Sequence, residues 1–364
     1  MKVAIVHDWF IGGGAERVVE QLHKMYPQAP IYTSYCSPQW RQRLAGAEII
    51  TGYLQRWPFS KLRKFLPPLR AVWFSRLDLS DYDLVISSSG AEAKAVNVAA
   101  PAIHINYCHA PTHYYWSRYD EYLKNPGFGR LDWLARLGLK ILLGPMRRWD
   151  FKAAQRPTYM IANSNYIKDQ IKKYYGREAT VIHPPVDTEL FKLLNKSSIP
   201  REAFLIAGRQ TPYKRFDLAV AACTKLNLPL TVIGDGPDRK KLLKLAGPSI
   251  NFLGWVSDND RIKHFQSAKA FIFAGLDDFG VVAVEALAAG TPVIAYQAGG
   301  SLDYIQPGQT GQFFSPQTVE SLTAALKKFN PENYDHAQIQ KSAAKFSAQE
   351  FQKGFSSFIK KCLA

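Results

Sequence analysis

Short apolar runs alternate with amphipathic stretches along the whole chain, and this pattern most limits the possible folds. In the first half, the predicted strands are residues 2–9, 30–35, 84–88, 103–108, 159–162 and 180–183. In the second half, they are residues 204–207, 230–234, 250–253, 270–274, 293–296 and 312–314. The helices predicted between them include residues 15–26, 215–225, 239–245, 260–268 and 319–329. This βα order is typical of parallel sheets with helices on both faces, and two such sets predict two Rossmann-like domains.

The length and composition of the chain fit this α/β architecture. Its 364 residues suffice for two domains, and a hydrophobic content of 47% is enough to build their cores. Pro184 and Pro185 interrupt regular structure, so we predict one domain over residues 1–184 and a second over residues 185–345. The remaining residues, 346–364, have phenylalanines at helical spacing and are predicted to form an amphipathic helix.

The net charge of +16 indicates an anionic partner, which could be nucleic acid, acidic lipid or a phosphorylated substrate. The four cysteines are scattered without metal-ligand spacing, which predicts a reduced, cytosolic protein. Residues 1–10 do not have the pattern of a signal peptide. No apolar run approaches the ~20 residues that a transmembrane helix needs.

Two basic residues follow the first predicted strand of the second half. Arg209 and Lys214 lie in one loop, where the Arg guanidinium can hold phosphate by two hydrogen bonds and the Lys supplies a point charge. A diphosphate leaving group needs such cations, because negative charge accumulates on it as its bond to the sugar breaks. A solvated basic loop is the alternative.

Acidic and small residues follow the strand predicted at 270–274, at the end of the sheet where α/β proteins bind ligands. Asp277 lies in this loop, and Gly280 permits close backbone approach to a ligand. The free amides in the first turn of the helix predicted to begin near Gly280 attract phosphate. Glu285, about a turn and a half into that helix, can accept hydrogen bonds from ligand hydroxyls. The alternative is an acidic N-cap before a buried helix.

Loops after other strands also contain candidate ligand-binding residues. The loop after the first strand contains Gly12, Gly13 and Gly14, in a register that differs from the G-x-G-x-x-G nicotinamide fingerprint. His109 follows the strand at 103–108 and can carry a proton or bind a hydroxyl, although a lone histidine is more often structural. Two loops of the second half, which contain Gly234, Asp235 and Trp255, can equally be ordinary turns.

Residues 49–77 combine basic with aromatic side chains and include no acid. This mixture favours docking on an anionic membrane, where each Lys or Arg contributes on the order of 1 kcal/mol. Binding of single-stranded nucleic acid and a merely solvated face are the alternatives. The residues that we single out here are Arg56, Trp57, Lys61, Arg63 and Lys64.

Taken together, these motifs resemble those of the retaining GT-B glycosyltransferases of family 4. Asp277 and Glu285 are similar to that family's acid-x7-Glu signature, whose first acid is usually Glu, and the Arg209-x4-Lys214 spacing resembles its diphosphate clamp. The resemblance implies that Glu285 holds the donor ribose and that Asp277 and His109 position the donor sugar. It also assigns donor binding to Gly12, Gly13, Gly14, Gly234, Asp235, Trp255, Phe279, Gly280 and Val281.

The resemblance covers nearly the whole chain and implies a GT-B architecture. In that architecture two Rossmann-like domains face each other across a cleft. Residues 1–184 would bind the acceptor, and residues 185–345 would bind the nucleotide sugar. The helix predicted at 346–364 would cross back and pack on the first domain.

The sub-patterns at 5–9, 83–89 and 278–280 resemble those of bacterial mannosyltransferases of O-antigen and exopolysaccharide assembly. They imply a retaining hexosyltransferase that uses a nucleotide sugar, with GDP-mannose favoured over UDP-sugars, and a glycan or polyprenyl-linked acceptor. We expect no metal and no cofactor, and a cytoplasmic protein peripheral to the inner face of the cytoplasmic membrane. A UDP-sugar-dependent transferase, a GT-B nucleotide-sugar epimerase and a basic nucleic-acid-binding protein are the alternatives, although no nucleic acid is expected.

Overall fold

A computed structural model describes residues 1–62, 66–124, 126, 129–192 and 200–363. The chain divides into two compact units, Met1–Pro184 and Pro185–Ala364. Both units have an α/β fold with an entirely parallel sheet, so the prediction of two parallel-sheet Rossmann-like domains is confirmed.

In the first unit, the described residues form a seven-stranded sheet with the order β3-β2-β1-β4-β5-β6-β7. Its strands are β1 (Val3–His7), β2 (Ile31–Thr33), β3 (Ile49–Thr51), β4 (Leu84–Ser89), β5 (Ile103–Cys108), β6 (Tyr159–Ala162) and β7 (Thr180–Val181). Its α-helices are α1 (Ala15–Met25), α2 (Pro38–Arg43), α3 (Phe59–Leu62), α4 (Pro67–Ser75), α5 (Tyr119–Lys124), α6 (Asp132–Ala154) and α7 (Asn165–Tyr175).

In the second unit, the described residues form a six-stranded sheet with the order β10-β9-β8-β11-β12-β13. Its strands are β8 (Ala203–Ala207), β9 (Leu230–Ile233), β10 (Ile250–Gly254), β11 (Ala268–Phe273), β12 (Val293–Tyr296) and β13 (Gly311–Phe314). Its α-helices are α8 (Thr188–Lys192), α9 (Phe216–Lys225), α10 (Arg239–Leu245), α11 (Asp258–Gln266), α12 (Val281–Ala288), α13 (Val319–Lys328), α14 (His336–Ser342) and α15 (Ala348–Leu363).

The central strands are buried on both faces, which is why they appear in the sequence as short apolar runs. Every residue of β1 and β4 is buried, and β11 is buried from Ala270 onward. The edge strand β3 was not predicted from the sequence. It has only three residues and all of them are half-buried, so its apolar run is too short to distinguish.

Each sheet reverses its strand order at one point, and this is where parallel α/β sheets bind ligands. In the first unit the reversal lies between β1 and β4, and in the second it lies between β8 and β11. Because all strands are parallel, the loops that follow these four strands lie at the carboxyl edge of their sheets. Each reversal is therefore flanked by loops that were singled out from the sequence.

The C-terminal helix α15 buries Phe351, Phe355 and Ile359, as the helical spacing of apolar residues predicts. Its packing on the first domain stays a prediction. Across the helices of the described ranges, none is both long enough and apolar enough to cross a lipid bilayer.

Candidate active site

In the second unit, the loops after β8 and β11 bring a cation and an acid together at the reversal of the sheet. Lys214 Nζ lies 2.9 Å from Asp277 Oδ2, and both side chains are about one-fifth exposed. A Cβ atom on Gly275 would lie 2.8 Å from Lys214 Cα, so only glycine allows the two loops to approach this closely. A small pocket at this point is lined by Lys214, Gly275 and Asp277, together with the apolar ends of the two strands.

The Asp277 loop is held in place by the Gly299-Gly300 turn that follows β12. The Gly300 amide donates a hydrogen bond to the Asp277 carbonyl oxygen at 3.0 Å. A Cβ atom on Gly300 would lie 2.3 Å from Phe279 Cα, a distance that no side chain tolerates. The position of the acid therefore depends on a glycine pair on the neighbouring strand.

Helix α12 begins directly after this loop, at Val281. Its N-cap residue, Gly280, has φ +88°, a left-handed conformation that favours glycine. A Cβ atom here would also lie 2.7 Å from the Tyr304 hydroxyl. The Ala283 amide donates to the Gly280 carbonyl oxygen at 2.9 Å, and the amides of Val281 and Val282, which precede this first hydrogen bond of the helix, can bind an anion.

Glu285 is buried within α12 and forms an ion pair that was not predicted from the sequence. Arg261 Nη1 on α11 donates a hydrogen bond to Glu285 Oε2 at 2.6 Å, and only 2% of the Glu285 side chain is exposed. A buried carboxylate needs such a partner, because desolvation of an unpaired charge costs several kcal/mol. Arg261 lies 24 residues from Glu285 in the sequence, so no local spacing indicates the pair. The role of Glu285 at the ribose stays a prediction.

Phe279, which we assigned to donor binding, has its side chain in the core of the second unit. It is 3% exposed, and its ring centroid lies 5.6 Å from those of Tyr304 and Phe346. Since burial among aromatic rings stabilises it there, the side chain is a core residue and only the backbone of Phe279 can contact a donor.

The loops after β8, β9 and β10 leave the same edge of the second sheet. Arg209 is exposed, and Trp255 has 77% of its surface exposed. Gly234 has φ +105°, and its amide donates to the Gly254 carbonyl oxygen at 2.7 Å. The Asp235 carboxylate accepts a hydrogen bond from the next amide at 2.7 Å, which is typical of a turn.

In the first unit, the glycine loop between β1 and α1 is exposed and is tied down by Glu16. The Glu16 carboxylate accepts hydrogen bonds from the amides of Ile11 at 3.2 Å and Gly12 at 2.9 Å, and it is 3% exposed. Gly12 has φ +110°, whereas Gly13 and Gly14 do not have positive φ. Glu16 therefore shapes the loop from beneath.

His109 follows β5 and is kept as a neutral imidazole. Its Nε2 lies 2.8 Å from Ser88 Oγ, and its carbonyl oxygen accepts a hydrogen bond from Asn163 Nδ2. Burial, reinforced by the nearby His7, lowers the pKa of His109 to about 3. At neutral pH this side chain can donate or accept a hydrogen bond, but it does not carry a charge.

Asp8, which directly follows β1, organises a neighbouring loop of the first unit. Its carboxylate accepts hydrogen bonds from the amides of Gly90, Ala91 and Ala93 and from Ser89 Oγ. The Asp8 side chain therefore organises the loop after β4 and is 6% exposed.

The basic aromatic segment at 49–77 is only partly a surface. Arg56, Trp57 and Lys61 are exposed, as the docking hypothesis requires. Docking of the segment on a membrane stays a prediction, but Arg70 is not available for it, because its side chain is buried in an ion pair with Glu92 at 2.9 Å. The apolar side chains of Leu54, Trp73 and Phe74, in the same segment, lie in the core of the first unit. Arg63 and Lys64 lie outside the described residues.

The acids of the described ranges do not cluster as metal ligands. No group of three or more His, Cys, Asp or Glu among those residues is arranged to hold a metal ion. Asp260, at the start of α11, accepts a hydrogen bond from Ser257 Oγ at 2.7 Å and pairs with Lys263 Nζ at 3.2 Å.

Two family models match the chain in succession. Residues 12–190 match the model "Glycosyltransferase Family 4", and residues 187–346 match "Glycosyl transferases group 1". The chain belongs to the family 4 glycosyltransferases. The resemblance inferred from its motifs is thereby confirmed.

Several curated relatives are similar to parts of this family 4 chain. A D-inositol 3-phosphate glycosyltransferase of Streptomyces avermitilis is 26% identical over 219 residues, which cover 51% of this chain and 47% of the relative. A GDP-mannose-dependent alpha-(1-6)-phosphatidylinositol monomannoside mannosyltransferase of Mycobacterium tuberculosis is 27% identical over 192 residues, which cover 45% of this chain and 50% of the relative. The chain thus spans about half the length of these relatives.

Solved structures resemble the chain over nearly its whole length. HepE of Anabaena in complex with UDP has a TM-score of 0.71 at 16% identity, with 99% of this chain and 100% of HepE covered. Sucrose-phosphate synthase of Thermosynechococcus elongatus has a TM-score of 0.69 at 16% identity, with 100% and 99% covered. This likeness shows the GT-B fold.

Proposed function

We propose that the chain is a retaining hexosyltransferase that transfers mannose from GDP-mannose to a glycan or polyprenyl-linked acceptor during cell-surface polysaccharide synthesis. The observation that supports this best is the convergence of Lys214, Asp277 and the first turn of α12 at the strand reversal of the second sheet. Cations and free amides at that position suit a diphosphate. Because the chain belongs to the family 4 glycosyltransferases, we infer that this diphosphate is part of a sugar nucleotide donor.

The diphosphate would be stabilised by protein groups alone. Lys214 and Arg209 supply positive charge, and the amides near Gly280 and Val281 supply hydrogen bonds. These groups would stabilise the charge that develops on the leaving phosphate as its bond to the sugar C1 breaks. The proposed reaction therefore needs no metal and no cofactor.

Retention of configuration would follow from substitution on one face of the sugar. The acceptor oxygen forms its bond to C1 on the side from which the phosphate oxygen departs, through an oxocarbenium-like state. The acceptor proton passes to the departing phosphate, because the neutral His109, with its lowered pKa, is a poor base at neutral pH. Asp277 and His109 would then orient the sugar through its hydroxyls, and Glu285 would hold the ribose.

Two sets of relatives suggest different donors. The Mycobacterium tuberculosis relative is named for GDP-mannose, which favours GDP-mannose here. HepE was solved with UDP-glucose, which keeps a UDP-sugar as the second candidate. Since backbone groups of the loops at Gly234 and Trp255 would contact the base, the side chains do not decide between them.

The first unit would bind the acceptor. Its exposed residues Arg56, Trp57 and Lys61 suit the anionic surface of a membrane that contains a lipid-linked phosphate glycan. We therefore place the protein in the cytoplasm, peripheral to the inner face of the cytoplasmic membrane.

The first experiment is a thermal-shift panel with GDP, UDP, ADP and their sugars, because a ligand that binds the native state alone raises its stability. Mass spectrometry of donor hydrolysis and transfer to a polyprenyl diphosphate glycan then identifies the reaction. We expect stabilisation by GDP and a mannosylated product, and loss of both in Lys214→Ala and Glu285→Ala.

Other outcomes would contradict the proposal. Epimerised donor without an acceptor product would indicate an epimerase. Salt-sensitive binding of oligonucleotides without donor turnover would indicate a nucleic-acid-binding protein. Full turnover in both variants would show that the site is elsewhere.

A further inference from the structure

The first two-thirds of helix α6 projects without a buried face. Its buried residues are all near its C-terminal end, at Met146, Asp150, Ala153 and Ala154. All of residues 132–145 are described, and each of them is exposed or half-buried. The helix is therefore buried only at its C-terminal end. Its N-terminal part is held by Arg136, which donates hydrogen bonds to the carbonyl oxygens of Leu123 at 3.1 Å and Lys124 at 3.0 Å.

This projecting part exposes a ridge of large apolar side chains. The ridge consists of Trp133, Leu134, Leu137 and Ile141, which are 63%, 49%, 48% and 64% exposed. At ~100° per residue, these four fall within about 100° of one another, on the side opposite the buried Met146 and Ala153. Soluble proteins rarely expose a contiguous apolar patch of this kind unless a partner covers it.

The charges around the ridge are mostly positive. Helix α6 has two acids, Asp132 at its first residue and Asp150, which is buried in an ion pair with Lys94 at 2.6 Å. Between them the helix has four cations, Arg136, Lys140, Arg147 and Arg148. Residues 1–184 as a whole have 25 Lys and Arg against 14 Asp and Glu, so +11 of the net charge of +16 lies in this unit.

We propose that the ridge of α6 inserts into the surface of an anionic lipid bilayer, with the helix lying in the plane of the interface. Apolar side chains would enter the boundary between headgroups and acyl chains, while Lys140 and Arg148 contact lipid phosphates. Trp133 suits this boundary, since tryptophan is enriched there. Such docking rests on the proposed function, in which the acceptor is linked to a membrane lipid. Helix α6 would then be the main element that binds the membrane, in place of residues 49–77.

The charge pattern disfavours the other two partners. A symmetric dimer through this face would bring the four cations of each copy together, with only Asp132 of each helix to compensate. Nucleic acid phosphates would pair with the cations. The apolar side chains of the ridge would then face the charged sugar-phosphate backbone, which offers them no apolar contact. An anionic bilayer offers both an apolar layer and negative charge.

The test is sedimentation of the full chain with phosphatidylcholine vesicles, with and without phosphatidylglycerol. The ridge variant combines Leu137→Gln with Ile141→Gln, which leaves the charge unchanged. Its matched control combines Leu243→Gln with Leu245→Gln on α10, a basic helix with leucines 49% and 41% exposed. We expect the ridge variant to bind anionic vesicles about tenfold more weakly, and the control to bind like the unmodified chain.

A charge variant tests the second half of the proposal. Lys140→Gln combined with Arg148→Gln is expected to weaken binding to phosphatidylglycerol vesicles by about fivefold or more. Because all these positions are exposed, circular dichroism and the melting temperature are expected to stay unchanged.

Three results would overturn the proposal. The first is that the ridge variant still binds anionic vesicles as tightly as the unmodified chain. The second is that the α10 control loses vesicle binding instead. The third is that the unmodified chain self-associates or binds oligonucleotides and that only the ridge variant abolishes this. Stabilisation by GDP is measured separately on the same variants and should persist in all of them. If GDP had no effect on any variant, the proposed enzyme would be in doubt while the vesicle result would stand.

Discussion

Lys214 Nζ and Asp277 Oδ2 are 2.9 Å apart, although their residues lie 63 positions apart on loops that follow two neighbouring strands. From the sequence, the lysine was assigned to the diphosphate and the aspartate to the donor sugar. The contact shows that the carboxylate also orients the lysine. Both side chains remain partly exposed, so a phosphate can reach the cation.

This ion pair predicts that removal of the Asp277 charge lowers the rate of sugar transfer without weakening nucleotide binding. In Asp277→Asn, the lysine loses a competing anion, so GDP should bind at least as tightly as before. Transfer should fall by more than about tenfold, because a positioned carboxylate near the sugar is lost. Calorimetry with GDP and a transfer assay measure the two effects.

The conservative variant Asp277→Glu is the control, since it keeps the charge and is expected to keep most of the transfer. Weaker GDP binding in Asp277→Asn, to the degree found in Lys214→Ala, would contradict the positioning role.

The buried pair of Arg261 and Glu285 makes a prediction about stability. In Arg261→Ala, the Glu285 carboxylate stays buried without its guanidinium partner, so the free energy of unfolding should fall by about 3 kcal/mol. Lys263→Ala is the matched control, because Lys263 lies on the same helix and pairs with an exposed acid, Asp260. Urea unfolding should show a large change in the first variant and almost none in the second. Equal effects would mean that the pair contributes nothing specific.

Two histidines with lowered pKa values, His104 and His109, predict that acid destabilises the first unit. Burial lowers the pKa of His104 to about 3, helped by Arg156 and Arg177, and the pKa of His109 is also lowered to about 3. An unfolded histidine has a pKa near 6.5. Between pH 6.5 and 3 the unfolded chain therefore binds more protons than the folded one, and the free energy of unfolding falls as the pH falls.

The loss should reach up to about 1.4 kcal/mol per pH unit for each histidine. Urea unfolding at pH 7.5 and pH 5.5 measures it, and His104→Gln should reduce the slope. NMR should show both imidazoles still neutral at pH 5. An imidazole of either residue that titrates near pH 6.5 would contradict the prediction.

Strand positions were predictable because a buried parallel strand is a local apolar run. The loops of the site were also predictable, since they follow those strands. Pairs formed across the fold were not predictable, because Arg261 has no local sequence pattern that indicates Glu285 as its partner. The burial of Arg70 within the segment at 49–77 was not predictable for the same reason, because Glu92, which neutralises Arg70, lies outside the segment.

The crowding of Gly234 predicts a coupled loss of stability and donor binding. A Cβ atom at this position would lie 2.1 Å from the Gly208 carbonyl oxygen, beside the loop that contains Arg209. Gly308→Ala is the matched control, because Gly308 also has a positive φ, +79°, but nothing lies within 4 Å of a Cβ there, and it is in the same unit but outside the candidate site. The control should lose about 1–2 kcal/mol of unfolding free energy through backbone strain alone and keep its GDP affinity. Gly234→Ala should lose more than the control and bind GDP more weakly, because the β8 loop must move. If urea unfolding and GDP titration gave the same values for both variants, the close approach of the two loops would have no part in holding the donor site.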